Sequence, residues 1–318
     1  MSSKDLVVGN LVAKTGEKKT GVVEFNVAGQ PYSLEVFLIN GQKDGPTLVI
    51  TGGIHAAEYA SVAAALEVGQ KLTPDGLCGS VIIVPVVNQR GFRVRSIYIN
   101  PMDGMNLNRV FPGKADGSAS EQIANWLFQN VMKQATYYID LHGGDLVEAL
   151  IPFTIFFKTG KPELDQASIE LARTFGIPNL VRSAGASSTY SAAALGGIPA
   201  ILTEAGGQGI WQRDQVELHI NGIHRVMRQY GLVPGGAPAP VECTVVENFI
   251  WMRSDAEGFW YPAIEVGAKV HKGQNLGVIK DAWGKVLQDV VCQGDGDVLF
   301  LVSSLAINRD DPLLAYGA

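Results

Sequence analysis

The chain has 318 residues, of which 47% are hydrophobic and 18% are charged, and its formal net charge is −6. This composition excludes a disordered protein and is typical of a globular protein with a large core. The acidic balance argues against a nucleic-acid partner, and the lack of any run of about 18 apolar residues argues against a membrane span. Three scattered cysteines and an N-terminus without a signal-peptide pattern predict a reduced, cytoplasmic protein.

Strands and helices alternate along the first 230 residues. Alternation of this kind predicts an α/β fold with a mostly parallel (mixed) sheet that carries helices on both faces. Residues 88–114 show neither the helical nor the strand period and are predicted to form a long loop. A long loop in a compact domain is usually functional. The predicted strands are 19–27, 31–40, 48–51, 79–87, 136–141, 152–157, 179–181 and 200–203, and the predicted helices are 59–72, 118–135, 162–175 and 214–230.

A stretch rich in proline and glycine, residues 233–240, marks a predicted linker. Beyond it the helical pattern ends, and short β runs separated by glycines predict a small all-β barrel or sandwich. The expected domains are therefore a catalytic domain, 1–235, and a C-terminal β domain, 241–318. We expect the second domain to form a wall or cap of the active site.

Four polar side chains follow or end predicted strands: His55, Glu58, His142 and Glu204. The carboxyl ends of parallel strands meet at one edge of a sheet, where open α/β folds place their chemistry. Two histidines and one carboxylate with an open fourth position are typical of catalytic zinc, although one His-x-x-Glu pair could also occur by chance. Asp140 could orient His142 or be a buried structural carboxylate.

Glu204 has the residue type and position of a general base, and the alternative is a capping or salt-bridged glutamate. The long loop contains several arginines, and the pair Asn108 and Arg109 lies between two candidate ligand segments. Guanidinium groups bind carboxylates bidentately and stabilise oxyanions, whereas the default for a basic loop is solvation.

Four short motifs occur in order: residues 53–58 (GIHAAE), 106–109 (NLNR), 140–142 (DLH) and 203–206 (TEAG). Together they resemble the succinylglutamate desuccinylase/aspartoacylase family, which is related to the zinc carboxypeptidases. The resemblance covers essentially the whole chain. It implies one Zn²⁺ per chain held by His55, Glu58 and His142, a substrate carboxylate held by Asn108 and Arg109, and Glu204 as the general base. The implied reaction is hydrolysis of the amide bond of a small N-acyl amino acid by a metal-activated water.

One departure from the family pattern concerns an arginine that polarises the scissile carbonyl, which the resemblance places near Ile97. Arg95 is our predicted substitute, and Tyr261 is a candidate for the tyrosine that family members supply from the C-terminal domain. Asp145 and Glu148 either select an amine-bearing side chain, such as that of diaminobutyrate, or face water.

Two other functions stay open at this stage: a metallocarboxypeptidase acting on short peptides, and a catalytically silent binding protein on the same fold. A homo-oligomer also stays open because Trp251, Trp260 and Tyr261 suggest an excess of surface aromatic residues.

Overall fold

The computed structural model describes residues 5–183 and 185–317. In chain order, the strands of the N-terminal part are β1 Leu6–Val8, β2 Leu11–Ala13, β3 Lys18–Val27, β4 Gln30–Asn40, β5 Lys43–Gly52, β6 Cys78–Val84, β7 Tyr137–His142, β8 Glu148–Leu150, β9 Phe153–Phe157, β10 Asn179–Ser183 and β11 Ala200–Glu204. The later strands are β12 Thr244–Val246, β13 Phe249–Arg253, β14 Gly258–Pro262, β15 Lys269–Val270, β16 Asn275–Lys280, β17 Val286–Val291, β18 Gly296–Val302, β19 Ala306–Ile307 and β20 Pro312–Gly317. The α-helices are α1 Tyr59–Lys71, α2 Gln89–Val94, α3 Ala119–Asn130, α4 Pro162–Phe175, α5 Thr189–Leu195 and α6 Arg213–Gln229.

The largest sheet has nine strands in the order β12-β10-β9-β11-β7-β5-β6-β4-β3. Its centre is parallel, since β5 pairs in parallel with both β6 and β7, and β7 pairs in parallel with β11. Strands β3, β4 and β9 introduce the antiparallel pairs that make the sheet mixed, as predicted. The carboxyl ends of β5, β7 and β11 therefore lie side by side.

Helices cover both faces of this sheet. Residues of α1, α4 and α6 share one buried cluster with the sheet, and residues of α3 and α5 belong to the cluster on the other face. Leu48, Val49 and Ile50 of β5 are fully buried because both of their faces are covered, which explains why this strand is a continuous apolar run.

The C-terminal strands form two antiparallel sheets, one with the order β13-β20-β18-β15 and one with the order β17-β16-β14-β19. Two strands join these sheets to the rest of the chain. Strand β8, from the N-terminal part, pairs with β18 of a C-terminal sheet, and β12, from the C-terminal part, pairs with β10 of the largest sheet. The two predicted units are thus joined by β pairing, and the boundary between 235 and 241 stays a prediction.

The structure also corrects several details of the sequence prediction. Residues 88–114 contain α2, whose first turn is capped by the Asn88 side chain, and a 3-10 helix, Leu107–Arg109. Helix α5 was not predicted, because its run of small residues has no apolar period and its start is set by a Ser188 and Ser191 capping box. Strands β12 and β13, which follow one another closely at the start of the predicted β domain, belong to different sheets.

Trp260, predicted at the surface, is 1% exposed because its indole packs in the C-terminal core and its Nε1 donates to the Val302 carbonyl at 3.1 Å. Within the described ranges, no helix combines the length and apolar character needed to cross a membrane.

Candidate active site

Three side chains at two neighbouring strand ends converge on one point. His55 and Glu58 follow β5, and His142 ends β7, which is paired with β5 in parallel. One potential ligand atom from each residue lies within 4.8 Å of the others, and all three side chains are buried or nearly so. Gly53 makes the sharp turn after β5 with φ +58, and a Cβ there would lie 3.0 Å from the Val86 Cα.

The two imidazoles present the same nitrogen to the Glu58 carboxylate. His55 Nδ1 lies 2.7 Å from Glu58 Oε1, and His142 Nδ1 lies 2.9 Å from Glu58 Oε2. The outer nitrogens have other partners: His142 Nε2 lies 2.9 Å from Asp140 Oδ2, and His55 Nε2 lies 3.1 Å from Asn106 Oδ1. With a cation bound, Nε2–H of each ring would donate to its outer oxygen, and Nδ1, which faces Glu58, would give up its proton and bind the cation.

The buried Nδ1 of His142 supplies a test of this interpretation. Despite its short distance to Glu58, it has no hydrogen-bond partner of acceptable geometry among the described residues. An imidazole nitrogen and a carboxylate oxygen that surround a shared point, without a bond between them, are arranged as ligands of one ion. Two nitrogens and one carboxylate also match the donor set of catalytic zinc, so the residues fit a divalent metal.

Asp140 contacts Nε2 of His142, which is the position that an orienting group, one of the two roles considered for Asp140, would require. The side chain is fully buried and accepts hydrogen bonds from Thr51 Oγ1 at 2.6 Å and from the Thr189 hydroxyl.

Burial acts to raise the pKa of Glu58, but the charges of His142 and His55 outweigh it and lower the pKa to about 2. Glu58 therefore stays ionised, as a metal ligand must.

Glu204 ends β11 directly beside His142, its register partner on β7. Its Oε2 is buried and has no hydrogen-bond partner among the described residues. Burial, followed by the negative charge of Glu58, raises the pKa of Glu204 well above its usual value. A divalent cation at Glu58 would oppose the second cause and favour the ionised form that a base requires.

Asn108 and Arg109 lie on the 3-10 helix and line the same cavity as the three candidate ligands. The Asn108 Oδ1 accepts a hydrogen bond from the Thr189 amide at 2.9 Å, and Arg109 Nη1 donates to the Asn108 carbonyl at 2.9 Å. These bonds fix the peptide that presents the Arg109 guanidinium, which is exposed to the cavity.

Arg95 and Tyr261 lie elsewhere. Arg95 is exposed at the C-terminal end of α2, and Tyr261 is 47% exposed with the Lys280 ammonium 5.2 Å from its ring centroid. Neither belongs to the described residues that line the cavity. Their predicted roles therefore gain no support from their positions.

Tyr98 and Glu148 line the cavity, and no pattern in the sequence predicts that they are paired. The Tyr98 hydroxyl donates a hydrogen bond to Glu148 Oε1, and Glu148 Oε2 accepts a hydrogen bond from the Asp145 amide at 2.7 Å. Asp145 is fully buried and Glu148 is 5% exposed, so neither faces water. Only tertiary structure brings Glu148 to Tyr98, because Glu148 lies on β8 and the position of β8 is set by its pairing with β18.

The cavity has a volume of about 1320 Å³ and includes residues of both the main sheet and the C-terminal strands. Phe249, Trp251 and Phe300 form part of its wall, and the rings of Trp251 and Phe300 stack with centroids 4.7 Å apart. The C-terminal strands thus contribute a wall of the site, as expected.

Comparison with known proteins identifies the family. Residues 44–230, more than half of the chain, match the sequence model of the succinylglutamate desuccinylase/aspartoacylase catalytic domain. The chain belongs to this family. The N-alpha-acetyl-L-2,4-diaminobutyric acid deacetylase of Halomonas elongata is a relative with 29% identity over 245 residues, covering 75% of this chain and 71% of the relative.

Two solved structures show the family fold over nearly the whole chain. The succinylglutamate desuccinylase/aspartoacylase from Rhodobacter sphaeroides matches with a TM-score of 0.83 and 24% identity, covering 94% of each chain. The product-bound ectoine utilization protein EutE (DoeB) from Ruegeria pomeroyi matches with a TM-score of 0.86 and 23% identity, covering 95% of each chain. The predicted family and fold class are confirmed.

Proposed function

We propose that the protein is a zinc-dependent hydrolase that cleaves the amide bond of a small N-acyl amino acid, with one zinc ion per chain. The observation that carries this proposal is the convergence of His55 Nδ1, His142 Nδ1 and the Glu58 carboxylate beside the unpartnered Oε2 of Glu204. Three protein ligands with a free carboxylate beside them are typical of a hydrolytic metal site. A purely structural metal site is usually closed by four protein ligands.

Bound zinc would supply Lewis acidity and would make water a better nucleophile at neutral pH. The chain's own residues supply the remaining steps. Glu204 accepts a proton from the attacking water and returns it to the amide nitrogen, so that the leaving group departs as a neutral amine. Asp140 and Asn106 hold the rings of His142 and His55 in the orientation that binding requires.

Asn108 and Arg109 bind the carboxylate of the amino-acid half in this proposal. The Arg109 guanidinium offers paired N–H donors to a planar carboxylate, and its peptide is fixed by the bonds of Asn108. N-acetyl-2,4-diaminobutyrate is the first substrate to test, because the Halomonas elongata relative is named as the deacetylase of that compound.

The test begins with metal removal by a chelator, followed by measurement of bound zinc and of turnover before and after zinc is restored. The substrates are a panel of N-acetyl and N-succinyl amino acids together with dipeptides. We expect zinc-dependent hydrolysis of an N-acyl amino acid. Preference for dipeptides would favour the carboxypeptidase alternative, and zinc binding without any turnover would favour a silent binding protein.

Two variants separate the metal site from the base. His142→Ala is expected to lose both zinc and turnover, whereas Glu204→Gln is expected to retain zinc and lose turnover. Glu24→Gln is the matched control, because Glu24 is exposed on the edge strand β3. Full activity in zinc-free protein, or in Glu204→Gln, would refute the proposal.

A further inference from the structure

Hydrolysis of an amide places negative charge on the carbonyl oxygen in the transition state, and a fixed donor aimed at that oxygen contributes strongly to the rate. The predicted donor, Arg95, is exposed and outside the cavity lining. Tyr98, three residues later, lines the cavity, and its ring meets the candidate ligand His55 edge-on with centroids 6.1 Å apart. Its ring thus lies beside the candidate metal cluster, and its hydroxyl is a hydrogen-bonding group in the cavity wall.

The backbone of Tyr98 is held in a conformation that side chains rarely adopt. Its φ is +57, in the left-handed region, where a residue with a Cβ is disfavoured by about 1–2 kcal/mol. The Tyr98 amide donates to Asp145 Oδ2 at 2.9 Å, which keeps the peptide in this orientation. A bulky residue held in this region by a buried carboxylate suggests that the position of its side chain matters.

The hydroxyl of Tyr98 is held as firmly as its backbone. It donates a hydrogen bond to Glu148 Oε1, while Glu148 Oε2 accepts a hydrogen bond from the Asp145 amide. Asp145 therefore fixes both Tyr98, through its carboxylate, and Glu148, through its amide. The phenol has little freedom to move away from the cavity.

We propose that Tyr98 is a catalytic residue whose hydroxyl donates a hydrogen bond to the developing oxyanion, and that Glu148 is a positioning residue that frees this proton. The inference rests on the proposed amide hydrolysis. When Glu148 carries its proton, the carboxyl O–H donates to Tyr98 Oη, and the phenol O–H points to the substrate. The phenol keeps its proton throughout, so no bond to hydrogen is broken.

The environment of Glu148 favours this pattern. Burial is the main cause that raises the pKa of Glu148 to about 8, and the charges of Glu58 and Asp145 act in the same direction, against hydrogen bonds from Asp145 and Tyr98. Burial and the nearby carboxylates also raise the pKa of the Tyr98 phenol, so it remains a donor. If Glu148 loses its proton, the phenol donates to the carboxylate instead and no longer serves the substrate.

The first experiment compares wild type with Tyr98→Phe on the best substrate of the panel, with Tyr137→Phe as control. Tyr137 begins β7, at the opposite end from His142, and stacks on Tyr230 with centroids 4.0 Å apart. We expect Tyr98→Phe to lower kcat about 100- to 1000-fold with little change in KM or zinc content. We expect the control to behave as wild type.

The second experiment measures binding instead of turnover. A phosphonamidate analogue of the substrate carries a tetrahedral P–O⁻ group in place of the carbonyl, whereas the product amino acid has no such group. Tyr98→Phe should weaken phosphonamidate binding by a factor similar to its loss in kcat and leave product binding unchanged.

The third experiment tests the role of Glu148. A glutamine there can place its carbonyl at the Asp145 amide and its NH₂ at Tyr98 Oη, which reproduces the protonated acid at every pH. We expect Glu148→Gln to exceed Glu148→Leu in kcat by about tenfold, corresponding to one positioned hydrogen bond. We also expect wild type, but not Glu148→Gln, to lose kcat above pH 8 as the carboxyl ionises.

These outcomes separate the two proposals. Wild-type protein without turnover on any N-acyl amino acid overturns both. Wild-type turnover that survives in Tyr98→Phe, with unchanged phosphonamidate affinity, overturns the role of Tyr98 and leaves the proposed function standing. A loss in Tyr98→Phe that weakens product and phosphonamidate equally indicates a structural role and also overturns the inference.

Discussion

Substitution of Asp140 by asparagine tests how the metal centre is built, because the side chain keeps its shape and loses its charge. Asp140 accepts hydrogen bonds from Thr51, from the Thr189 hydroxyl and from His142 Nε2. An asparagine has one acceptor oxygen, so its NH₂ must face one of these donors. The Thr51 side can adapt, since the Thr51 hydroxyl also lies 2.5 Å from the Tyr138 hydroxyl and can donate there while it accepts from the amide.

The magnitude follows from this rearrangement. With Thr51 reoriented and the Tyr138 phenol donating to Thr189, its other side-chain partner, every polar group keeps a partner, so we expect stability to fall by only about 1 kcal/mol. The bond to His142 loses its charge, which makes the imidazole less basic. Loss of such an orienting partner typically lowers metal affinity about 10- to 100-fold, or about 1.4–2.8 kcal/mol.

The assay is a competition titration of metal-free protein against a fluorescent zinc chelator, with a thermal melt of each variant as a folding control. Asp289→Asn is the matched control, because Asp289 is exposed on β17. Wild-type zinc affinity in a folded Asp140→Asn protein would refute the argument that Asp140 acts through His142. A large loss of stability would instead indicate that the buried network failed to rearrange.

Three further predictions concern stability. Trp260→Phe leaves the Val302 carbonyl without its 3.1 Å donor and opens a small cavity, so unfolding in urea should show a loss of about 2–3 kcal/mol; a neutral result would contradict this. Gly53→Ala forces a Cβ into a backbone with φ +58 and within 3.0 Å of the Val86 Cα, and we expect a lower Tm together with weaker zinc binding. Burial lowers the pKa of His219 to about 4, below its ordinary value of 6.5, so the folded state binds this proton less readily than the unfolded state. Its stabilising contribution is complete above pH 6.5 and is lost as pH falls towards 4; a fall in stability over this window that is equally steep in His219→Gln would contradict the assignment.

The sequence alone determined most of the local structure. Helix α4 begins and ends where its apolar period begins and ends, at Pro162 and Phe175, and β5 was visible as an apolar run stopped by glycine. These elements are set by side-chain periodicity and by turn residues, which act over a few positions. The four motifs in order also carried the resemblance to the family. Separately, the carboxyl ends of strands in a parallel sheet share one edge, which predicted that the candidate site residues meet.

Local pattern failed where a neighbour distant in the chain decides the conformation. Helix α5 has no apolar stripe, and its first residue, Thr189, is tied to Asn108 and Asp140. Strand β8 exists because β18 lies beside it, and β12 because β10 does. In each case the partner is at least 49 residues away, too far for a local sequence pattern to contain both.

The same distinction applies to the candidate site. The residue types His55, Glu58, His142 and Glu204 could be selected from strand ends, but only the register of β5, β7 and β11 brings their atoms together. The sequence also offered Arg95 as a donor, whereas the fold exposes Arg95 and places Tyr98 among the residues that line the cavity. Sequence fixes which groups are available, because periodicity and turn chemistry are local. Tertiary structure decides which of them meet, because register and sheet order depend on contacts between distant segments.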